Sequence, residues 1–454
     1  MKTDREIQMP GKALVVGMGV SGRALCELLL RGGVRVTATD MRPRGDFGDA
    51  LDPLEACGCS LKLGAHDLRD FLDADLIIVS PGVPLDIEPL RQASLHGVKI
   101  VGELDWASRF VDRPIVAVTG TNGKTTTTSL IGEMCKAAGR RAFVGGNIGT
   151  PLSKWVLDGE DAEVLVLEVS SFQLDTADTF RPDVGVLLNI TEDHLDRYEN
   201  FQAYADSKMS LFARQTGNQI AIVNGDDPLA LSRCSEIGSR LLIGSRRLEK
   251  ADALLRNGRV RVNIPWKAPF EIGLENSPLK GAHNEENLVA AILAAAAIDL
   301  PPDAISRAIG TYRGLPHRVE WVRTWRGVDF YDDSKATNVG AVAKALEGFE
   351  RPVLILMGGR DKLGSYGPLK EGLKAKGKGI FVFGEAAPRI REELEEVLPA
   401  SSFPDLEAAF HEAVKRAEPG DVVLLSPACS SFDQYASYGQ RGDHFKKLVA
   451  QLAN

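Results

Sequence analysis

The eight residues Thr119-Gly120-Thr121-Asn122-Gly123-Lys124-Thr125-Thr126 carry the sharpest chemical signal in the chain. They follow an apolar run, Ile115 to Thr119, and open a helical pattern that reaches about Ala138 and is ended by Gly139. In a strand-to-helix turn, Gly120 and Gly123 let backbone N–H groups approach phosphate oxygens at the positive end of a helix. Lys124 is placed to bridge β- and γ-phosphates, and the Thr125 hydroxyl to take Mg²⁺. The general phosphate-loop pattern asks for glycine at position 118, where this chain has Val118. The competing reading is a glycine-rich turn with a solvated lysine.

Two further segments could join that loop. Glu168 closes the apolar run Val164 to Val169, and a carboxylate there suits a hard cation. By itself it reads more readily as a surface or capping group. The run Val184 to Ile190 leads into Asn189-Ile190-Thr191-Glu192-Asp193-His194-Leu195-Asp196, an acidic loop whose histidine suggests a second cation site. Lys208 follows in Tyr204-Ala-Asp-Ser-Lys208, a helical stretch, and from its residue type alone is a solvated lysine. Near the start, Gly17-Met-Gly19-Val-Ser-Gly22 with Asp40 fits the dinucleotide fingerprint. The same turn can hold any nucleotide diphosphate. Nothing downstream suggests hydride transfer, so a nucleotide-linked substrate is preferred there over a nicotinamide cofactor.

The elements that must position these residues alternate strand and helix, which argues for parallel α/β sheets. A first set uses strands at Ala13–Val16, Val34–Thr39, Asp75–Val79 and Val98–Val101, with a helix over Ser21–Arg31. The weaker, partly alternating pattern from Gln219 to Leu279 suggests an antiparallel extension of the second set, before a helix over Asn284–Ala297. A third set has strands near Val328–Tyr331, Val353–Met357, Ile380–Phe383 and Val422–Leu425. The 454-residue length predicts about three domains, bounded here at 1–111, 112–314 and 315–454. The expected fold is a Rossmann-like domain, a central phosphate-loop domain with a parallel sheet plus antiparallel extension, and a second Rossmann-like domain. A net charge of −8 argues against a general nucleic-acid binder. The longest apolar run, Leu288 to Ile298, is 11 residues and too short to span a membrane. The start MKTDREIQMPGK has no apolar signal core. Six scattered cysteines form neither a disulfide framework nor a zinc signature, so a reducing cytoplasm is expected.

Taken jointly, these motifs resemble the Mur ligase family, ATP-dependent enzymes that build the peptide of bacterial cell-wall precursors. The resemblance spans essentially the whole chain and includes the phosphate loop, Glu168 with Ser170, Asn189 to Asp196, Lys208, His283-Asn284 with Asn287, and His317-Arg318. Within the family, Asp333-Ser-Lys-Ala-Thr-Asn338, Ser426 to Gln434 and Gln440-Arg-Gly442 are similar to members that add D-glutamate to UDP-N-acetylmuramoyl-L-alanine. The resemblance implies an acyl-phosphate intermediate, ATP with two Mg²⁺ ions (Mn²⁺ as the alternative), and a monomer. It implies that Lys124, His194 and Lys208 are catalytic, with Thr125, Glu168, His194 and a carbamylated Lys208 at the cations. Gly120 to Thr126, Asn284, Asn287, Arg318 and Asp333 are implied to hold ATP. Ser21, Asp40, Met41, Ser80, Pro81, Gly82, Asn147, Ser170 and Gln173 are implied to meet the uridine-linked substrate. Lys335, Thr337, Lys362, Ser431, Phe432 and Tyr438 are implied to surround D-glutamate, and two lysines suit a dicarboxylate. Phe432 and Tyr438 are aromatic variants of the residues that the family pattern leads one to expect.

Bland readings stand beside several of these. Asn284 could cap a helix, Asn287 could be a helix-surface amide, Gly145 to Gly149 could be a flexible loop, and the lysines could be solvated surface. Three rival functions also remain at this level: a sibling amide ligase, including the folylpolyglutamate type; a nicotinamide oxidoreductase; and a nucleotide-binding regulator without turnover.

Overall fold

The computed structural model describes residues 7–194, 197–279, 281–314, 316–361 and 364–453. Lys362 and the pair Leu195-Asp196 lie outside the described residues. The chain forms three sheets in sequence, each with helices against it. Five strands make the first: β1 Lys12–Val16, β2 Arg35–Asp40, β3 Ser60–Leu63, β4 Leu76–Val79 and β5 Lys99–Gly102. All pair in parallel, in the order β3-β2-β1-β4-β5. The order reverses beside β1, which places the Gly17 turn at the crevice where open α/β sheets take ligands.

The central sheet has nine strands, ordered β14-β13-β12-β11-β10-β9-β6-β8-β7. They are β6 Ile115–Thr119, β7 Ala142–Gly146, β8 Val164–Glu168, β9 Val184–Leu187, β10 Ile220–Asn224, β11 Arg240–Ser245, β12 Ala253–Arg256, β13 Arg259–Val262 and β14 Phe270–Gly273. Strands β6, β8 and β9 are buried along their whole length, which is why they read as unbroken apolar runs. The antiparallel extension expected over Gln219–Leu279 is confined to β12-β13-β14, whose residues alternate or are half exposed; β10 and β11, in the first part of that span, pair in parallel and continue the main sheet. Helix Lys124–Ala137 packs Leu130, Ile131 and Met134 into one core with the alanine-rich helix Ala282–Ala297.

The third sheet is ordered β15-β16-β20-β17-β18-β19: β15 Glu320–Trp325, β16 Val328–Asp332, β17 Val353–Gly358, β18 Gly377–Phe383, β19 Ala400–Phe403 and β20 Val422–Leu425. Only β15 runs antiparallel to its neighbour. Strands β3, β7, β15 and β19 escaped the sequence reading. Three of them, β3, β15 and β19, lie at sheet edges, half buried and with polar or small residues, so they lack the apolar run that marks a central strand. Strand β7 is also an edge strand, and it absorbs Gly145 and Gly146, so the flexible-loop reading fails for that half of Gly145–Gly149. All six cysteines are free. Among the described residues, no helix is long and apolar enough to cross a membrane.

Candidate active site

Val118 sits fully buried inside β6, paired with Glu168 on β8, so the loop turns later than the general pattern assumes. The turn is made at Gly120 and Gly123; Gly123 has φ 84° and lies under Asn287, whose Oδ1 would be 2.1 Å from any Cβ there. No other residue type fits that position without displacing Asn287. Asn287 is therefore buried against the phosphate loop, not a helix-surface amide. Asn284 is also no cap: Gly281 occupies the N-cap of that helix.

The loop is tied down from the next strand. Asn122 N–H donates to Asn189 Oδ1 at 2.8 Å, and Asn189 Nδ2 returns a bond to the Asn122 carbonyl at 3.1 Å. Thr121 Oγ1 donates to the Thr191 carbonyl and accepts from Thr191 N–H, each at 3.0 Å. Two amines converge on the loop. Lys124 Nζ donates to the carbonyls of Gly120 (2.8 Å) and Thr121 (2.9 Å). Lys208 Nζ donates to the same Gly120 carbonyl at 3.0 Å. Burial lowers the pKa of Lys124; Glu168 and Asp193 oppose this, while Arg318 and Lys335 add to it. Lys208 is depressed well below the ordinary lysine value, first by burial and then by the neighbouring Lys124.

The solvated reading of Lys208 is thus wrong: the side chain is 1% exposed. Helix Phe201–Met209 turns it inward beside Tyr204, whose ring lies 4.4 Å from Nζ and whose hydroxyl donates to Thr121 Oγ1 at 3.2 Å. Tyr204 was not among the expected site residues. Its i, i+4 spacing from Lys208 puts both on one helix face and could have found it. Glu168 is likewise not a surface group. It is buried, accepts from Asn147 Nδ2 at 2.9 Å through Oε1, and has no partner at its buried Oε2. His194 has φ 55°, and its ring meets Phe172 edge-on at 4.8 Å, with Nε2 3.7 Å from Asp193.

The third domain reaches the same loop. Arg318 Nη2 donates to Thr125 Oγ1 at 2.7 Å, and Asn338 Nδ2 donates to Asp193 Oδ2 at 3.1 Å and to Asn122 Oδ1 at 3.3 Å. Asn338 was quoted only as part of a motif. It is the N-cap of helix Val339–Glu347, a position its residue type favours. Asp333 is buried, receiving Ser426 Oγ at 2.8 Å and Val319 N–H at 3.2 Å. Burial raises its pKa to about 7, against the pull of Ser426 and Arg318. Lys335 lays Nζ 3.9 Å over the Tyr438 ring. Thr337 N–H bonds the Lys335 carbonyl, Ser431 is buried, and Phe432 is 64% exposed. Arg441, quoted only within the motif Gln440-Arg-Gly442 and given no role there, is fully buried and donates to Ser334, Gly358 and Cys429, joining the ends of β16, β17 and the segment after β20. A cavity of about 330 Å³ opens between His194 and Asp193 on one side and Asn338, Asp361 and Tyr366 on the other.

The first domain's turn is built differently. A Cβ at Gly22 would lie 1.8 Å from the Gly17 carbonyl, so helix Val20–Arg31 can approach the turn only with glycine there. Ser80 Oγ donates to that carbonyl at 2.8 Å; Pro81 is half-buried, Gly82 and Met41 are exposed, and Ser21 is half-buried. Both Asp40 oxygens are taken, by Met18 N–H at 2.7 Å and by the Arg42 guanidinium and N–H. Burial works against its charge, but those donors outweigh it and hold the carboxyl at about 2. Ser170 and Gln173 bond one another in a capping box on helix Ser171–Leu174.

Three domain families match the chain: the Mur ligase MurD-like N-terminal domain at residues 11–102, the Mur ligase middle domain at 118–295, and the Mur ligase glutamate ligase domain at 317–429. The UDP-N-acetylmuramoylalanine–D-glutamate ligase of Geotalea daltonii is 43% identical over 442 residues, 97% of this chain and 98% of its own. The enzyme of that name from Desulfosudis oleivorans is 44% identical, covering 97% and 96%. Among solved structures, a MurF ligase from Thermotoga maritima in complex with ADP matches with TM-score 0.62 at 20% identity, over 92% of this chain and 96% of that one. A pseudomurein peptide ligase type C from Methanothermus fervidus matches with TM-score 0.61 at 19% identity, over 98% and 100%. At those identities the two structures speak for the fold alone. The sequence relatives and domain matches, laid over a phosphate loop that side chains of both the central and the third domain reach, establish that the chain belongs to the Mur ligase family.

Proposed function

We propose that this protein joins D-glutamate to UDP-N-acetylmuramoyl-L-alanine at the expense of ATP, through an acyl phosphate. The observation that carries this reading is the meeting of Lys124 and Lys208 with Arg318 at one phosphate loop, from two domains. Phosphoryl transfer needs charge neutralised around the moving group, and cations held in place supply it without reorganisation. Residues 1–111 would seat the uridine end, 112–314 the phosphates, and 315–454 the amino acid and part of ATP. The substrate carboxylate attacks the γ-phosphate, ADP leaves, and the D-glutamate amine then attacks the acyl carbon as phosphate departs. Lys124 and Arg318 bind and orient the γ-phosphate. Asn284 and Asn287 hold the adenine, and Asp333 the ribose. Lys335 and Lys362, with Thr337, Ser431, Phe432 and Tyr438, orient the dicarboxylate. The peptide precursor's place of assembly puts the protein in the cytoplasm, acting as a monomer.

Magnesium fits the residues present. Thr125 Oγ1 and the unpartnered, buried Glu168 Oε2 are hard oxygen donors beside the loop. When bound, the cation would neutralise phosphate charge. His194 and Lys208 would hold a second. The depressed pKa of Lys208 supports its carbamylation, because only the neutral amine can attack CO₂ and become an anionic ligand. The oxidoreductase reading is weakened at Asp40, whose oxygens are filled by Arg42 and Met18 where a ribose diol would need them.

The test is phosphate release from ATP and Mg²⁺ with UDP-N-acetylmuramoyl-L-alanine, offering D-glutamate, L-glutamate, L-lysine and diaminopimelate separately. Release with D-glutamate alone, with a product of matching mass, is expected. Release with another amino acid moves the protein to a sibling activity; none with any returns the oxidoreductase and regulator readings.

A further inference from the structure

The cavity between the central and third domains has an acidic lining: Glu192 and Asp193 on one side and Asp361 on the other. Such a lining suits the ammonium group of an amino acid and disfavours a second carboxylate. Yet Asp361 is held by a structure the mechanism above does not use. Helix Ala387–Leu394 packs beside β17 and β19, outside the phosphate site. Its Arg389 Nη1 donates to Asp361 Oδ2 at 2.6 Å, and Nη2 to the Gly364 carbonyl at 2.5 Å. One turn later Glu393 pairs with Arg389 Nε at 3.2 Å. Its other oxygen accepts Tyr366 N–H at 2.7 Å and Ser365 Oγ at 3.1 Å. Tyr366 completes the ring, its hydroxyl donating to Asp361 Oδ1 at 3.2 Å. Asp361, Gly364, Ser365 and Tyr366 all line the cavity.

We propose that Arg389, braced by Glu393, is a positioning residue that holds this cavity wall, and Asp361 with it, in the shape that meets the ammonium group of the amino-acid substrate. The inference rests on the ligase reading above. Two features argue for it. The guanidinium makes two donor contacts to two separate points of the wall, a planar geometry that lysine cannot reproduce. And the pair i, i+4 on one helix grips the wall at four places, Asp361, Gly364, Ser365 and Tyr366, fixing its shape.

The test compares steady-state constants of the full-length protein and R389A, R389K and E393Q, varying each substrate in turn. R389A should raise the KM for D-glutamate about tenfold, the fold-change of one lost charged hydrogen bond, with the KM for ATP and for the uridine substrate within about twofold. R389K, which keeps the charge but not the fork, should recover part of that loss. An unchanged D-glutamate KM in R389A, or a parallel rise for all three substrates, overturns the proposal. If R389A does not fold, R389K and E393Q decide, and an unchanged D-glutamate KM in both overturns it. Loss of D-glutamate-dependent turnover in the unsubstituted protein would instead defeat the ligase reading itself.

Discussion

The two domain junctions of this chain are made of different material. At the first, helix Glu103–Ser108 leaves β5 and carries two buried carboxylates into the central domain. Glu103 Oε1 accepts Ser153 N–H at 2.7 Å, at the start of helix Leu152–Asp158. Asp105 Oδ1 accepts Phe180 N–H at 2.7 Å and Thr179 Oγ1 at 3.0 Å. Between them, Leu104 and Ala107 join the central core while Trp106 joins the first domain's core. At the second junction, Arg318 and Asn338 reach across to Thr125, Asn122 and Asp193 through polar, half-exposed contacts beside an open cavity. A junction that shares apolar core and buried charge moves only at the cost of exposing both. One made of a few polar contacts can open and close around a ligand. The first and central domains therefore form a platform, and the third is the part built to adjust.

The largest effect expected is at the phosphate loop. Lys208→Ala should lower phosphate release by more than about a thousandfold, with partial rescue by short-chain carboxylic acids that enter the vacated space. Full activity of that variant would remove Lys208 from the site. Next comes the platform. Asp105→Ala strips acceptors from Thr179 and Phe180 and should cost about 3 kcal/mol in urea unfolding, since it leaves buried donors and Arg109 unpaired. A loss under about 1 kcal/mol would mean that water or relaxation replaces the weld. The matching change at the other junction, Asn338→Ala, should cost about 1 kcal/mol, mostly the lost N-cap of helix Val339–Glu347, while raising the KM for ATP. If the two junctions respond alike in unfolding, the contrast between them fails.

The last effect concerns pH. Asp333 has its folded pKa raised to about 7 by burial, against about 3.9 when unfolded. The folded state binds that proton more tightly, so its stabilising contribution is complete below about 4 and lost as pH rises to about 7. Asn at this position can accept from Val319 N–H and donate to Ser426. Asp333→Asn in the ligand-free protein should therefore flatten the stability profile over that window, by up to about 4 kcal/mol. An unaltered profile from pH 4 to 7 would show that Asp333 is ionised in the folded state.

Local pattern revealed the central strands and both glycine turns because these depend on near neighbours. Apolar runs mark strands buried on both faces, and β6, β8, β9, β17 and β20 are all of that kind. The four missed strands are edge strands: β3, β15 and β19 carry polar residues, and β7 ends in two glycines, so none shows a long apolar run. For the site, the phosphate loop was legible at a glance. Lys208 and Glu168 were not: residue type alone made both solvent-facing, and only the family resemblance placed them at the centre.

What the sequence by itself determined was the order of elements and the glycine turn Gly120 to Lys124 between a buried strand and a helix. Each is encoded within a few residues, where hydrophobic period and glycine conformations act. What only the tertiary structure decided was which side chains share one environment. Arg318 reaches a threonine 193 residues away, Asn338 an aspartate 145 away, and Lys208 a carbonyl 88 away. Burial and neighbouring charge set the protonation of Lys208 and Asp333, and both arise only when distant segments are packed together.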